Sequence, residues 1–245
     1  MAIAENHLIE MLPRRDRLRL LALCEPVPLV RAGVLCELGE PTRFVYFPID
    51  GFIALMTHVV GHPGLEVGLV GREGMLGAPL ALGVARAPWQ AMVRGAGSAW
   101  RIAAPAFLRE LVLSSALRRG VDRYLYVTLM QLTVAAACPR FHMIGPRLAR
   151  WLLMSQDRTH ADSFQVTHEL LAGMLGVRRV GVTVAAGLLQ RDGLIRYHRG
   201  ELTVLDRGGL EAAACSCYAL DQQAYADEID PPAPVTSPAE DLQWQ

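Results

Sequence analysis

The chain has 245 residues and five cysteines, with 24 basic and 24 acidic side chains that give a formal net charge of zero. This length suits one large domain or two small ones, each able to bury a core. No apolar run reaches the ~20 residues that span a bilayer; the best, residues 124–138, is broken by Thr128, Gln131 and Thr133.

The N-terminus places acids ahead of its basic cluster and has no long apolar core, which argues against a secretory signal and for a cytoplasmic protein. All basic residues are Arg, and they are unevenly spread. Residues 1–110 carry 11 Arg and 10 acids, residues 111–210 carry 13 Arg and 7 acids, and residues 211–245 carry 7 acids and no Arg. A basic middle is what a polyanionic partner would meet. The odd cysteine count and the lack of a CxxC pair imply no disulfide framework. Cys215-Ser216-Cys217 is too close for ordinary structural-zinc spacing, so no metal site is expected. Cys24, Cys36 and Cys138 remain candidates for redox or metal sensing, with unligated thiols the simpler reading.

Residues 7–24 read as a short amphipathic helix broken at Pro13. From Val27 to about Ile102, short runs rich in Val, Ile, Phe and Tyr alternate with Gly and Pro, the texture of a small barrel or roll. Within it, Phe44 to Phe47 reads as a strand, Pro48 to Gly51 as a turn into the next strand, and Gly95-Ala96-Gly97 as a further turn. Pro105 suits the first turn of a helix. A longer helix spans residues 115–137, with Leu117, Val121, Tyr124, Leu125, Thr128, Leu132 and Ala135 at 3–4 spacing. That stripe suits a seam between two copies, or packing onto the roll of its own chain. Pro139 should kink or end this helix. Gly145-Pro146 opens another, with Leu148, Trp151, Leu152 and Met154 inward, followed by a polar loop. After Cys217 the pattern is lost, and the Pro-rich acidic end reads as disordered.

The stretch VTHELLAGMLGVRRVGVTVAAGLLQRDGLI, from Val166 to Ile195, reads as two short helices around a tight turn. Thr167 is a good N-cap with Glu169 in the first turn, and Gly176 suits a left-handed cap. The second helix starts near Arg178 and points Val182, Ala185, Ala186 and Leu189 inward. This is helix-turn-helix spacing, in which the second helix enters the DNA major groove; two helices that merely pack together are the plainer alternative. LIRYHRGELTVL then reads as a β-hairpin, which makes the unit a winged helix with Arg196 and Arg199 on the wing.

The order roll, long helix, short helix, winged helix, with GREGMLGAPLALG in the roll and RLARWLL ahead of VTHELLAGMLGVRR, resembles the Crp/Fnr family of bacterial transcription regulators over roughly residues 10–212. The resemblance implies a homodimer holding two recognition helices about one DNA turn apart, a cyclic-nucleotide-binding-like sensor roll, and the long helix as seam and relay. It also implies an α+β fold divided as sensor roll 1–113, dimerisation helix 114–144, winged helix-turn-helix 145–212 and tail 213–245. Members that bind cyclic AMP carry a Gly-Glu and an Arg-Ser pair. Here Gly77-Ala78 and Ala87-Pro88 stand in those places, so the usual cyclic-nucleotide site is not expected, with Gly77 and Arg86 as weak effector candidates. Cys24 and Cys36 do not match the cysteine cluster of the iron–sulfur branch. His58 and His62 look like loop residues rather than heme ligands.

In the recognition helix Arg179 matches the family, while Val180 and Val184 replace its Glu and second Arg. Arg179 could bond guanine and a valine could touch a thymine methyl. Thr167 and His168 match phosphate-contacting positions, and Thr183 is a groove-side neighbour. The DNA-binding candidates are thus Thr167, His168, Arg178, Arg179, Val180, Thr183, Val184, Arg196 and Arg199. The expected partners are double-stranded DNA and a second copy of the chain, with RNA polymerase a further candidate and no membrane; the effector is unassigned and no cofactor is expected. Ser98, Ser114 and Ser115 lack a His and an acid at motif spacing, so no catalytic constellation is expected. Two other readings compete: a metal-dependent cupin-type roll enzyme using His58, His62 and Glu66, and a regulatory module whose winged helix binds protein.

Overall fold

The computed structural model describes residues 6–58, 60–61, 64–159 and 161–229. The N-terminal helix is split by Pro13 into α1 (His7–Glu10) and α2 (Arg14–Leu21). Five strands follow: β1 (Glu25–Leu29), β2 (Val34–Cys36), β3 (Phe44–Thr57), β4 (Leu65–Val70) and β5 (Gln90–Ala103), with a 3-10 helix (Ala78–Leu82) between the last two. They form one antiparallel sheet in the order β1-β5-β3-β4, with β2 also paired to β5. Beyond it come α3 (Ala104–Leu113), the 27-residue α4 (Ser115–Phe141) and α5 (Ile144–Thr159). The C-terminal half holds β6 (Ser163–Gln165), α6 (His168–Leu175), α7 (Arg179–Arg191), β7 (Ile195–His198), β8 (Glu201–Val204), α8 (Arg207–Ala213) and α9 (Cys217–Ile229). This is the expected α+β fold of sheet, long helix and helix-turn-helix. Among the described residues no single helix is long and apolar enough to cross a membrane.

Two expected turns are absent. Pro48 to Gly51 lies inside the continuous β3, and Gly95-Ala96-Gly97 lies inside β5 opposite it, where the register between the strands slips. The physical reason is a β-bulge. Gly51 takes a φ of +73°, and a Cβ there would lie 2.5 Å from the Gly95 carbonyl oxygen. An extra residue reverses which face each side chain meets. Val45 and Phe47 pack outward on the N-terminal helices and α4, with Tyr46 inside the roll. Beyond the bulge Ile53 and Leu55 turn inside, and Phe52, Ala54 and Met56 face α5 and the winged helix. One strand thereby serves three cores.

The long helix differs from expectation in two ways. It runs past Pro139 to Phe141. The first half of its apolar stripe, Leu117, Val121 and Tyr124, is buried within its own chain against Phe47, Met75 and Phe107. Ser114 caps the helix by accepting from the Leu117 N–H at 3.1 Å. The turn GREGM packs closely here, since a Cβ on Gly74 would collide with the Tyr124 ring and one on Gly71 would lie 2.5 Å from the Arg158 side chain. Past Cys217, where the sequence pattern is lost, the chain continues as α9, which packs on α4 and buries Tyr218 and Ile229. Its weak amphipathicity hid it. Residues 230–245 lie outside the described residues.

The roll and the winged helix meet at Trp151. Its ring packs edge-on against Phe52 of β3 and Phe164 of β6, at 6.4 Å in both cases. Its indole N–H donates to Glu66 Oε1 at 2.8 Å. Glu66 keeps some exposure as a residue, but its Oε2 is enclosed without a hydrogen-bond partner. Burial raises its carboxyl from the ordinary 4.5 to about 7, against the opposing pull of the Trp151 bond and of Arg94, Arg158 and Arg150. Between these two values the unfolded chain has released the proton and the folded chain still holds it. Stability from this group is complete below pH 4.5 and is lost as pH rises through 7. Glu66→Gln should therefore gain on the order of 1–3 kcal/mol over the native chain at pH 8 and little at pH 5. Urea unfolding across that range measures the difference, and an equal effect at both pH values would refute the assignment.

Candidate nucleic-acid interface

Helices α6 and α7 are set at 109° to one another, within the range for helix-turn-helix units. The turn is built as the sequence suggests. Thr167 accepts from the Leu170 N–H at 3.1 Å, and Gly176 ends α6 at a φ of +64°. Leu171, Met174 and Leu175 of α6 and Val182, Ala185, Ala186 and Leu189 of α7 are buried against Leu148, Leu152 and Leu153 of α5. That burial fixes which face of α7 remains outside. The exposed face carries Arg178, Arg179, Val180, Thr183, Val184 and Leu188, with Val180 67% and Val184 60% exposed. Arg178 and Arg179 are exposed at the N-terminal end of this helix and form no salt bridge with any described residue.

The wing stands beside that face. Strands β7 and β8 pair from Ile195↔Val204 to His198↔Glu201, and β6, which begins at the last residue of the expected polar loop, adds a third strand through Phe164↔Leu202. Arg199 and Gly200 form the tip with positive φ values of 50° and 83°, the geometry of a tight hairpin turn. Arg196 and Arg199 are both exposed.

His168 and Thr183 are engaged internally. The Thr183 Oγ1 lies 3.1 Å from the Arg179 carbonyl oxygen, to which it donates, and 3.0 Å from His168 Nδ1. The His168 ring stacks on Tyr197 of the wing, 4.4 Å between centroids. Burial and the charge of Arg179 lower its basicity, so the ring is neutral near pH 7 and its enclosed Nε2 has no hydrogen-bond partner. Tyr197, which the sequence did not single out, binds the wing on three sides. Besides the stack, its N–H donates to Gln190 Oε1 at 2.8 Å and its hydroxyl to the Val166 carbonyl at 3.1 Å. Its inward position in a strand was the only available signal.

The two glycines of α7 differ. A Cβ at Gly181 would lie 2.6 Å from Ile144 Cδ1, the end of a half-buried side chain that would have to turn aside, whereas nothing lies within 4 Å of a Cβ at Gly187.

In the roll, a cavity of about 370 Å³ is lined by Phe44, Tyr46, Leu76, Gly77, Trp89 and Arg43, among others. Gly77 thus reaches the cavity. Arg86 is not among its lining residues and donates to the Gly39 carbonyl at 2.7 Å. His58 bonds Gln90 at 3.3 Å and Glu66 bonds Trp151, so the cupin-type ligands are engaged with different partners; His62 lies outside the described residues. The three sensing candidates also separate. Cys24 and Cys36 sit in the roll half, where burial pushes the Cys24 thiol up to about 12 and raises Cys36. Cys138 instead meets Cys215, Cys217 and His142.

A roll is joined by a long helix to a winged helix whose Arg-tipped second helix is exposed. Residues 146–213 match the Crp-like helix-turn-helix domain family. Solved structures share the whole architecture. FixK2 from Bradyrhizobium japonicum superposes with a TM-score of 0.66 at 12% identity, over 78% of this chain and 98% of that one. The c-di-GMP responsive global regulator CLP of Xanthomonas campestris gives 0.63 at 18%, over 79% and 100%. A CRP-family transcriptional regulator from Thermus thermophilus gives 0.62 at 20%, over 77% and 96%. No curated protein sequence matches the chain significantly. The chain therefore has the fold of the Crp/Fnr-type regulators.

Gly187→Ala should stabilise the protein by about 0.5–1 kcal/mol, since the helix penalty of Gly is removed without a clash. Gly181→Ala should lose stability or stay level. Urea midpoints that rank the two the other way would contradict the packing described.

Proposed function

We propose that the chain acts as a homodimer on duplex DNA with two-fold symmetry. In each copy the N-terminal half of α7 lies in the major groove and the wing lies on the backbone. One observation carries this: the face of α7 opposite its buried residues is exposed, and it begins with two arginines that form no salt bridge with any described residue. Arg179 would read a base edge, with Val180 and Val184 beside thymine methyl groups. Arg178, Arg196 and Arg199 would hold phosphates. Thr167 acts as a helix cap whose neighbouring N–H groups face the backbone. His168 and Thr183 act as positioning residues that lock the wing to the recognition helix, because the ring is already stacked on Tyr197 and bonded to Thr183.

The seam of the dimer falls on the second half of α4. The first half is spent within the chain, but Tyr126, Leu129, Thr133 and Ala136 form an exposed line at 3–4 spacing, with Leu129 59% exposed. The roll cavity joins the aromatic rings of Phe44, Tyr46 and Trp89 to the polar side chains of Glu40, Thr42 and Arg43, with Arg86 engaged elsewhere. A buried cyclic phosphate needs a dedicated Arg or a set of donors, and here the one lining Arg shares the wall with the Glu40 carboxylate, so the reading is an effector bound in another manner.

Fluorescence anisotropy with labelled duplex tests this. Affinity should fall steeply with salt, by roughly 10²-fold or more between 50 and 200 mM if several phosphates per copy are neutralised. Arg179→Ala should relax preference at one base position, at a cost of about 1–3 kcal/mol for the preferred sequence, whereas Arg199→Ala should weaken all sequences alike. Identical behaviour of the two variants would remove the assignment of reading and gripping roles. Leu129→Arg should give a monomer by sedimentation, and an unchanged dimer would move the seam elsewhere.

A further inference from the structure

Four side chains from distant parts of the chain converge where the long helix ends. Cys138 lies in the last turn of α4, and His142, four residues on, is that helix's C-cap. Cys215 and Cys217 flank the start of α9, more than 70 residues later. All four ligand atoms lie within 4.8 Å of one another, and the three cysteines are buried. Cys138 Sγ is 3.6 Å from Cys215 Sγ, and Cys217 Sγ is 3.5 Å from His142 Nδ1.

These separations match the edges of a coordination tetrahedron. With zinc–sulfur distances of ~2.3 Å and zinc–nitrogen distances of ~2.0–2.1 Å, sulfurs should lie about 3.8 Å apart and sulfur and nitrogen about 3.5 Å apart. The remaining edges need to close by no more than about 1.0 Å between sulfurs and about 1.3 Å between sulfur and nitrogen to reach the same figures. We propose that Cys138, His142, Cys215 and Cys217 form a Cys3His site for one zinc ion that fastens the end of α4 to the start of α9.

Three thiolates and an imidazole form a soft tetrahedral set that favours zinc over oxygen-seeking cations such as magnesium or calcium. Loading releases the thiol protons to solvent, and the loaded centre carries one net negative charge. Arg150, itself bonded to Asp221 at 3.0 Å, lies close enough for its charge to act on Cys138 and Cys217 and would balance that charge. The loop between the two pairs is also anchored, since the Cys215 N–H donates to the Pro146 carbonyl at 3.2 Å. The Cys-x-Cys spacing that argued against zinc in the sequence applies to ligands supplied by one segment. Here each segment supplies two, and the ion would close a loop containing all of α5 to α8.

The test uses the full chain, fully reduced and stripped of metal, titrated with cobalt(II). A single equivalent should bring up the intense visible bands of tetrahedral cobalt with thiolate-to-metal charge transfer, and one equivalent of zinc should erase them. Zinc should also raise the melting temperature of the stripped chain. Cys217→Ser and His142→Gln should weaken zinc binding at least tenfold, while Cys24→Ser and Cys36→Ser should leave it unchanged. Should a variant fail to fold, the titration of the native chain still decides. Absence of tetrahedral bands in the reduced native chain, or bands that depend on Cys24 or Cys36, would overturn the site. The result is independent of whether the winged helix binds DNA.

Discussion

The packing of Trp151 between Phe52 and Phe164 is the contact on which the arrangement of the two halves depends. It makes the outer face of β3 and β4 and the inner face of the winged helix parts of one core, with Leu148, Leu152 and Leu153 of α5 at its centre. A helix buried on so many sides cannot roll without repacking both neighbours. Helix α7, packed on α5, therefore holds a defined position relative to the roll cavity. The Arg158–Glu73 ion pair at 2.7 Å adds a second tie between α5 and the GREGM turn, and that turn lies directly against Tyr124 of the long helix. A change in the roll has a packed route to α7 through these residues.

The DNA-facing surface follows from the same economy of burial. Each apolar residue that α7 can hide is hidden against α5 and α6, so the outward Val180 and Val184 are left without a partner inside the chain. Polar groups that could have wandered over this face are pinned: Thr183 to the Arg179 carbonyl and His168, and His168 to the wing through Tyr197. What remains charged and exposed is arginine, at Arg178 and Arg179, whose planar fork suits both phosphate and guanine.

Much of this was legible in the sequence because local rules and tertiary structure agree. Thr167, Gly176 and the spacing of Val182, Ala185, Ala186 and Leu189 gave the helix-turn-helix directly, while Pro13 marked a helix break and Pro105 a helix start. The failures share a cause. At Gly51 a bulge and a turn present the same residues, and only the register against Gly95 separates them. In α4 a 3–4 stripe does not say which copy it faces, and the structure assigns Leu117, Val121 and Tyr124 to their own chain. The convergence of Cys138 and His142 with Cys215 and Cys217 depends on how α9 returns to α4, which no spacing rule contains. The bonds of His168 likewise exist only once the wing is in place.

The most direct test of the central claim is selection of bound duplexes from a random pool by the purified chain, read by sequencing. The account predicts enrichment of two inverted half-sites whose centres lie about one helical turn, roughly 34–36 Å, apart, with the strongest preference confined to a few bases in each half. No enrichment at low salt, or a single half-site without its inverted mate, would contradict a dimer that reads the major groove through α7.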